Sequence, residues 1–406
     1  MSPSSEPPRV LLGVTGGVAA FKGVLLLRAL QRAGFDVRVV ATPSALKFVG
    51  EPTWHALSRH PVTVDVWSGS GGGEPHVELA RWADAMVIYP ATTRVVGSLA
   101  AGITDDLVTL CVSCMSGPVV VCPAMHTQMA NWRPHDEAKA RLREAGMVVV
   151  EPVSGPLASG DVGFGRLPEP DAVLEEVRRA LTPQDLAGRR VLVSAGPTRE
   201  HLDAVRFLSN PSTGTMGFAI AAAAARRGAQ VTLVAGPVDL ETPAGVDRVD
   251  VVSAADLKRE LDAAFPACDL LVMTAAVADF RPAEQHRHKL RKTELGSGTP
   301  TIPLASTADI LAGLGARKQP GQVLVGFAME TDDLVASARA KLEKKRLDLI
   351  VANNLRTEGA GFGRETNVVT LVSGDGVTEL PKMSKAELGD RIVACAAELL
   401  AESRES

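Results

Sequence analysis

Short, wholly apolar runs alternate with stretches whose apolar residues recur every three to four positions, through both halves of the chain. Arg9–Gly13 reads as a buried strand, Thr15–Val18 as its loop, and Val18–Ala33 as an amphipathic helix. Asp36–Ala41 is a second strand closing on Thr42-Pro43-Ser44, and Ala83–Tyr89 and Pro118–Cys122 are further strands, each running into proline. A helical pattern covers Val77–Trp82, and Pro168–Ala180 is a closing helix. The second half repeats the alternation. A strand ending on Ala195-Gly196 is followed by the small, polar segment Ser209–Gly217, which opens an alanine-rich helix over Phe218–Arg227. Gln230–Ala235, Val249–Val252, Leu270–Ala276, Val323–Phe327 and Leu347–Asn353 read as strands, and Asp333–Arg346 as a helix. Asn367–Leu371 and Val377–Leu380 predict an edge hairpin. Ser384–Ala401 is a terminal helix, with Ser384 and Glu387 spaced as a capping box. Strand–helix alternation of this kind predicts an α/β protein with two doubly wound, parallel, Rossmann-like sheets.

The chemistry gathers where strands end. A strand, a turn of small residues and a helix N-terminus together collect phosphate, because unpaired N–H groups and the helix dipole point at the anion. Gly13–Gly17 and the segment from Ala195 to Gly217 both have this form, and the competing reading of each is an ordinary βα turn. Thr42, Ser44, Thr92 and Thr93 put hydroxyls at the carboxyl ends of strands, where open α/β sheets take ligands. His76 follows the glycine run Ser68–Gly73, a loop expected to be mobile; it is either structural or an acid–base group near neutral pH. Ala275-Ala276 allow close approach of a base or ribose, or of a packed helix. His286–Lys292 is a basic loop, either solvated or offering Lys289 to pyrophosphate chemistry. Lys341 and Lys345, four apart, share a helix face.

Length and charge narrow the picture. The 406 residues exceed one ordinary core, so two domains are expected, 1–189 and 190–406, joined by the polar connector Leu181–Gly188. A net charge of −4 gives no reason to expect nucleic acid or an anionic membrane as partner. No apolar run approaches a membrane span, and MSPSSEPPRV lacks a signal-peptide core, so a cytoplasmic location is expected. Five cysteines argue against a disulfide framework, and Cys111-x-x-Cys114 reads as a buried helix face rather than a zinc or redox motif. No strand leads into G-x-G-x-x-G with an acidic residue about 20 positions on, which argues against a nicotinamide dehydrogenase.

Gly13–Lys22, His76, Pro90–Thr92, Gly102–Leu107 and Pro123–Met129, in that order, resemble the flavin-binding cysteine decarboxylases. With Ala195–Glu200, Phe207–Gly217, Ala275–Pro282, Lys289–Lys292, Asp309–Leu311, Val325–Ala328 and Lys341–Asn353, nearly the whole chain resembles the bacterial bifunctional phosphopantothenoylcysteine decarboxylase/phosphopantothenate–cysteine ligases of coenzyme A biosynthesis. The resemblance implies FMN held by Thr15, Gly16, Gly17, Val18, Thr42, Ser44, Ala91, Thr92 and Thr93. It implies His76 as the active-site histidine and Met125–Met129 as the segment facing the substrate carboxylate. For the second half it implies activation of 4′-phosphopantothenate by CTP and Mg²⁺ to an acyl-cytidylate, which cysteine then captures. Asn210 would orient that intermediate and Lys289 neutralise developing charge. Met273, Thr274, Ala275, Asp279, Thr307, Ala308, Asp309, Ile310, Phe327, Lys341 and Lys345 would hold CTP, with Asp279 also serving the metal.

The chain departs from the family pattern at several positions. His126 stands where the Pro-Ala-Met-Asn motif has asparagine, as in actinobacterial members, and Ser159 stands where a cysteine protonates the enethiol. Arg94 replaces an asparagine, Pro211 and Thr215 replace an arginine and a lysine, and Thr307-Ala308 replace Asn-Pro. By resemblance, decarboxylase trimers and ligase dimers would close into a homododecamer. The alternatives are a paralogue acting on another cysteine conjugate and a non-catalytic regulatory flavoprotein; His76, Asn210, Asp279 and Lys289 count against the latter.

Overall fold

The computed structural model describes residues 7–67, 73–291, 301–330, 334–354 and 366–403. The tail 1–6, the glycine run 68–72, Lys292 and Asp333 lie outside them. The chain forms two compact units, 1–183 and 184–406.

In the first unit the order is β1 (Arg9–Val14), α1 (Ala20–Arg32), β2 (Asp36–Ala41), α2 (Glu51–Ser58), α3 (Pro75–Trp82), β3 (Ala85–Ala91), α4 (Thr93–Ala100) and α5 (Leu107–Cys114). Then come β4 (Val119–Pro123), α6 (Thr127–Ala130), α7 (Arg133–Glu144), β5 (Val148–Val149), the hairpin β6 (Val153–Pro156) and β7 (Val162–Arg166), and α8 (Pro170–Leu181). The five-stranded sheet runs β2-β1-β3-β4-β5, all parallel. Alternate residues of β1 serve opposite layers: Val10, Leu12 and Val14 meet Leu26, Leu27 and Leu30 of α1, whereas Leu11 meets Leu107, Val108 and Cys111 of α5. A strand covered on both faces must be apolar throughout, which is why it reads as a continuous hydrophobic run. The strand expected over Ala83–Tyr89 lies two residues later and takes in Pro90, whose carbonyl accepts from the Thr15 hydroxyl rather than from a ladder partner. Cys111 faces the core, and burial pushes its thiol up to about 12.

The second unit contains β8 (Arg190–Ala195), β9 (Arg199–His201), β10 (Phe207–Ser209), α9 (Thr215–Arg226), β11 (Gln230–Ala235), β12 (Val246–Asp250), α10 (Ala254–Ala264), β13 (Leu270–Met273), β14 (Phe280–Pro282) and β15 (Leu304–Ser306). They are followed by α11 (Ile310–Gly315), β16 (Val323–Glu330), α12 (Leu334–Lys345), β17 (Leu349–Asn354), β18 (Thr366–Asn367), β19 (Val369–Ser373), β20 (Val377–Glu379), β21 (Met383–Ser384) and α13 (Lys385–Glu402). The eight-stranded sheet runs β12-β11-β8-β13-β16-β17-β19-β20, parallel as far as β17 and antiparallel for the β19–β20 edge. Residues of the polar connector pack with this unit: Leu186 enters its core and its N–H donates to the Arg227 carbonyl. The strand expected over Leu270–Ala276 stops at Met273, because Thr274–Ala276 turn toward β8: the Thr274 hydroxyl donates to the Ser194 carbonyl (2.6 Å) and Ala276 N–H to the Gly196 carbonyl (2.9 Å).

Candidate active sites

In the first unit the order in which strands are added reverses between β1 and β3, β2 lying on one side of β1 and β3 on the other, and polar side chains converge beyond those strand ends, where such sheets take ligands. Thr15 is 1% exposed; its hydroxyl donates to the Pro90 carbonyl (2.7 Å) and accepts from Thr92 N–H (3.0 Å), tying the two loops together. The Thr42 and Ser44 hydroxyls lie 3.1 Å apart at the end of β2, and a Cβ on Gly16 would overlap the Ser44 side chain. Glycine there brings the loop after β1 against the loop after β2. Thr93 reaches the Met125 sulfur (3.2 Å) at the end of β4. The first unit thus joins Thr15, Gly16, Thr42, Ser44, Thr92, Thr93 and Met125 through contacts along one edge of the sheet.

The departures from the family pattern have definite partners. His126 caps α6: its Nδ1 accepts from Gln128 N–H at 3.4 Å, and its Nε2 lies 3.2 Å from Asp161 Oδ2. Ser159 donates to that same oxygen at 2.8 Å. The two donors hold the Asp161 carboxyl below its ordinary range. The β6–β7 hairpin lies against the segment after β4, for a Cβ on Gly165 would overlap the Met125 carbonyl. Arg94 pairs with Asp105 (2.9 Å) and with Asp106, the N-cap of α5. His76 sits in the first turn of α3 with its Nδ1 enclosed and unpartnered among the described residues.

The second unit has a cavity of about 500 Å³ beyond the carboxyl ends of β8, β13, β16 and β17. Asn210–Gly217 form one wall, Thr274–Val277 and Asp279 another, and Phe327, Ala328, Lys341, Asn353, Val369 and Lys385 complete it. Gly214, at φ +75°, caps α9 without a side-chain hydrogen bond, so the first turn of that helix opens toward the cavity. Gly217 lets α9 start close to the sheet: a Cβ there would come within 2.5 Å of the Ala195 Cβ and of the Thr274 hydroxyl. Asn210 Nδ2 donates to the Val277 carbonyl (2.9 Å), joining the two walls.

Of the residues expected to meet CTP, Asn210, Thr274, Ala275, Asp279, Phe327 and Lys341 line the cavity. Thr307 stands behind it, bonded to the carbonyls of Ala278 and Asp279. Met273 and Ile310 are core residues. Asp309 caps α11 and pairs with Lys345 (2.9 Å); burial alone would raise its carboxyl, but the lysine brings it below the usual range. Ala308 is exposed, as is Lys289, whose neighbour Leu290 is tied to Asp203 and Arg206. Asn353 and Lys385 line the cavity but were missed in the sequence. Their signals were a polar residue ending an apolar strand and a lysine opening a helix, each visible only once the elements are arranged. Among the described residues no three His, Cys, Asp or Glu side chains cluster as a metal site, and Asp279 is the carboxylate at the cavity. A hollow of about 630 Å³ beside α1 and α8 (Leu25, Arg28, Arg32, Pro170, Asp171) contains none of the expected residues.

Two family models match the chain, one described as flavoprotein over residues 2–182 and one as DNA/pantothenate metabolism flavoprotein C-terminal domain over residues 186–400. The chain is 43% identical over 390 residues to the coenzyme A biosynthesis bifunctional protein CoaBC of Bacillus subtilis, covering 95% of each chain. It is 41% identical over 386 residues to the protein of that name from Vibrio vulnificus, covering 95% of this chain and 96% of the relative. Against the CoaBC of Mycobacterium tuberculosis it is 43% identical over 403 residues, covering 95% and 96%. The chain therefore belongs to the family of bifunctional coenzyme A biosynthesis enzymes, with a decarboxylase half and a ligase half.

Proposed function

We propose that the second unit joins 4′-phosphopantothenate to cysteine at the expense of CTP, and that the first unit decarboxylates the conjugate to 4′-phosphopantetheine with FMN. The observation that carries this reading is the cavity, where a helix N-terminus, small backbone-exposing residues and Lys341 meet at strand ends in a volume suited to a nucleotide and a second substrate. CTP would lie with its base and ribose toward Thr274–Ala275 and Phe327 and its phosphates toward α9 and Lys341. Its α-phosphorus is attacked by the carboxylate of phosphopantothenate, forming the acyl-cytidylate and releasing pyrophosphate. The amine of cysteine then displaces CMP to form the amide. Asn210, fixed by its bond to Val277, orients the acyl group, and Lys289 on its exposed loop offsets charge on the leaving pyrophosphate. Mg²⁺ commonly enters such sites on substrate phosphates and one or two carboxylates, which fits Asp279 as the protein's contribution.

The polar cradle of the first unit fits a flavin phosphate and ring edge: buried hydroxyls at Thr15 and Thr42, and a loop that closes only with glycine at position 16. Thr15–Val18, Thr42, Ser44 and Ala91–Thr93 would hold FMN, which when bound supplies oxidation and later reduction at the thiol-bearing carbon. His76, with an enclosed unpartnered nitrogen, would hold a proton near the reacting thiol. His126 would orient the carboxylate that leaves as carbon dioxide, and Ser159 stands near it through Asp161. In this reading the chain works in the cytoplasm as a homo-oligomer, with trimers of the first unit and dimers of the second closing into a dodecamer. No helix among the described residues is long and apolar enough to cross a membrane.

The test is mass spectrometry of the products formed from phosphopantothenate, cysteine and CTP, run beside a reaction with ATP. Appearance of CMP, pyrophosphate and a product lighter than the conjugate by carbon dioxide is expected. Equal use of ATP, or no amide product, would remove this reading of the second unit; an amide that is never decarboxylated would remove that of the first.

A further inference from the structure

Asn353 and Lys385 are among the polar side chains of the second unit's cavity that the mechanism above does not use. Asn353, the penultimate residue of strand β17, lines the cavity and is 4% exposed, and its side-chain Oδ1 is enclosed with no partner among the described residues. Lys385 is the first residue of α13 and lines the same cavity. No carboxylate or carbonyl takes its ammonium among the described residues, and burial alone draws its pKa below the ordinary lysine value. A half-buried cation without a counterion is unfavourable, and at a helix N-terminus it also opposes the helix dipole. Local violations of this kind mark places where a ligand completes the arrangement.

The packing of two helices explains its position. At Gly389, α13 meets α9 so closely that a Cβ would lie 3.0 Å from the Ala219 carbonyl and 3.2 Å from Ile220 N. Gly389 is four residues beyond Lys385 and Ala219 four beyond Thr215, and both helices begin at the cavity, so their first turns stand side by side. The turn of α13 is satisfied internally, since Ser384 and Glu387 form a capping box. That of α9 is not. Its first internal bond runs from Phe218 N–H to the Gly214 carbonyl, and the N–H groups of Thr215, Met216 and Gly217 have no acceptor among the described residues. An open helix N-terminus and a neighbouring lysine therefore face one cavity, a combination suited to a phosphate, while the enclosed Asn353 Oδ1, an acceptor, suits a hydroxyl or amino donor elsewhere on the same ligand.

We propose that Lys385 is a substrate-binding residue of the ligase half, its ammonium closing over a phosphate group seated on the open N-terminus of α9. The inference rests on the reading that this cavity takes CTP and 4′-phosphopantothenate. That phosphate belongs either to the CTP triphosphate or to the 4′-phosphate of the second substrate, and kinetics separates the two. In the full-length chain, Lys385→Met is compared with wild type and Lys385→Arg, following pyrophosphate release while each substrate is varied in turn. Loss of one charged contact of this kind predicts a rise of roughly 10–100-fold in KM for one substrate, with kcat and the other KM changed less than about threefold. A rise for CTP assigns the triphosphate, and a rise for phosphopantothenate assigns the 4′-phosphate. Lys385→Arg should restore most of the affinity. Both KM values within about twofold of wild type in the Met variant would overturn the proposal, as would a uniform loss of activity with a lowered melting temperature that arginine does not rescue. Failure of the wild-type chain itself to release pyrophosphate from CTP would instead overturn the reading on which the proposal rests.

Discussion

Thr15→Val keeps the shape of a buried side chain and removes only a hydroxyl that joins the loops after β1 and β3. The hydroxyl satisfies two backbone groups, the Pro90 carbonyl at 2.7 Å and Thr92 N–H at 3.0 Å. Pro90 is buried and Thr92 only partly so, so valine leaves one group fully stranded and the other able to find water. A stranded buried group costs about 1–3 kcal/mol, and the second adds about 1, giving roughly 2–4 kcal/mol in all. For a unit of this size each kcal/mol moves the melting midpoint by about 2–4 °C, so a fall of roughly 4–16 °C is expected. The chain carries its own reporter: all 4 tryptophans and its 1 tyrosine lie in the first unit, at Trp54, Trp67, Trp82, Trp132 and Tyr89. Tryptophan emission of the intact protein therefore follows that unit alone. Thr15→Ser, which keeps the O–H, should recover most of the loss. A Thr15→Val midpoint within about 2 °C of wild type would show that the hydroxyl does not hold these loops together.

Lys289→Gln should lower the rate of pyrophosphate release by about 10²–10³-fold while weakening CTP binding far less, and full activity in this variant would remove its assigned role. Ser159→Cys should raise the ratio of 4′-phosphopantetheine to enethiol measured by mass spectrometry; an unchanged ratio would mean that the proton comes from elsewhere. With an aromatic disulfide reagent at pH 8, Cys114 should react in the native chain, whereas Cys111, pushed up to about 12 by burial, and Cys122, buried in the core, should react only after unfolding. Rapid modification of Cys111 in the folded protein would contradict its placement against β1.

The parts legible in the sequence are those governed by residues near one another along the chain. Asp36–Ala41 and Gln230–Ala235 occupy the residues expected of them because strand length and apolar continuity are local properties, and the Ser384–Glu387 cap needs only its own turn. The hydroxyls at Thr15, Thr42 and Thr92 were legible as strand-end residues, but not as a linked set, since the bond between Thr15 and Thr92 spans 77 positions. Lys385 was hidden for the same reason. Its surroundings are set by the contact of Gly389 with Ala219, a packing of two helices on which no local pattern reports. Asp309 and Lys345 were both expected at the nucleotide, and pair with each other over 36 positions. Met273 looked like part of a strand-end motif, yet it faces the core because the strand leaves the sheet one residue later.

The departures from the family pattern differ in physical kind, and this separates structural accommodation from changed chemistry. Arg94 is engaged by Asp105 and by the N-cap residue Asp106, so its charge is absorbed in linking α4 to the start of α5, and no altered reaction follows from it. His126 and Ser159 instead share a single oxygen, Asp161 Oδ2. A serine hydroxyl is already a weak acid beside a cysteine thiol, and here its proton is directed at a carboxylate. To act as a proton donor it must first leave Asp161, and its neighbours in the connecting loop, Leu157, Ala158 and Gly160, carry no side-chain acid. Asp161 also keeps the hairpin bonded to the residue proposed to orient the substrate carboxylate. On the proposed mechanism, exchanging cysteine for serine therefore strengthens the closure of the hairpin on His126 while weakening the last proton transfer, so the two effects of one substitution fall on different steps of the same reaction.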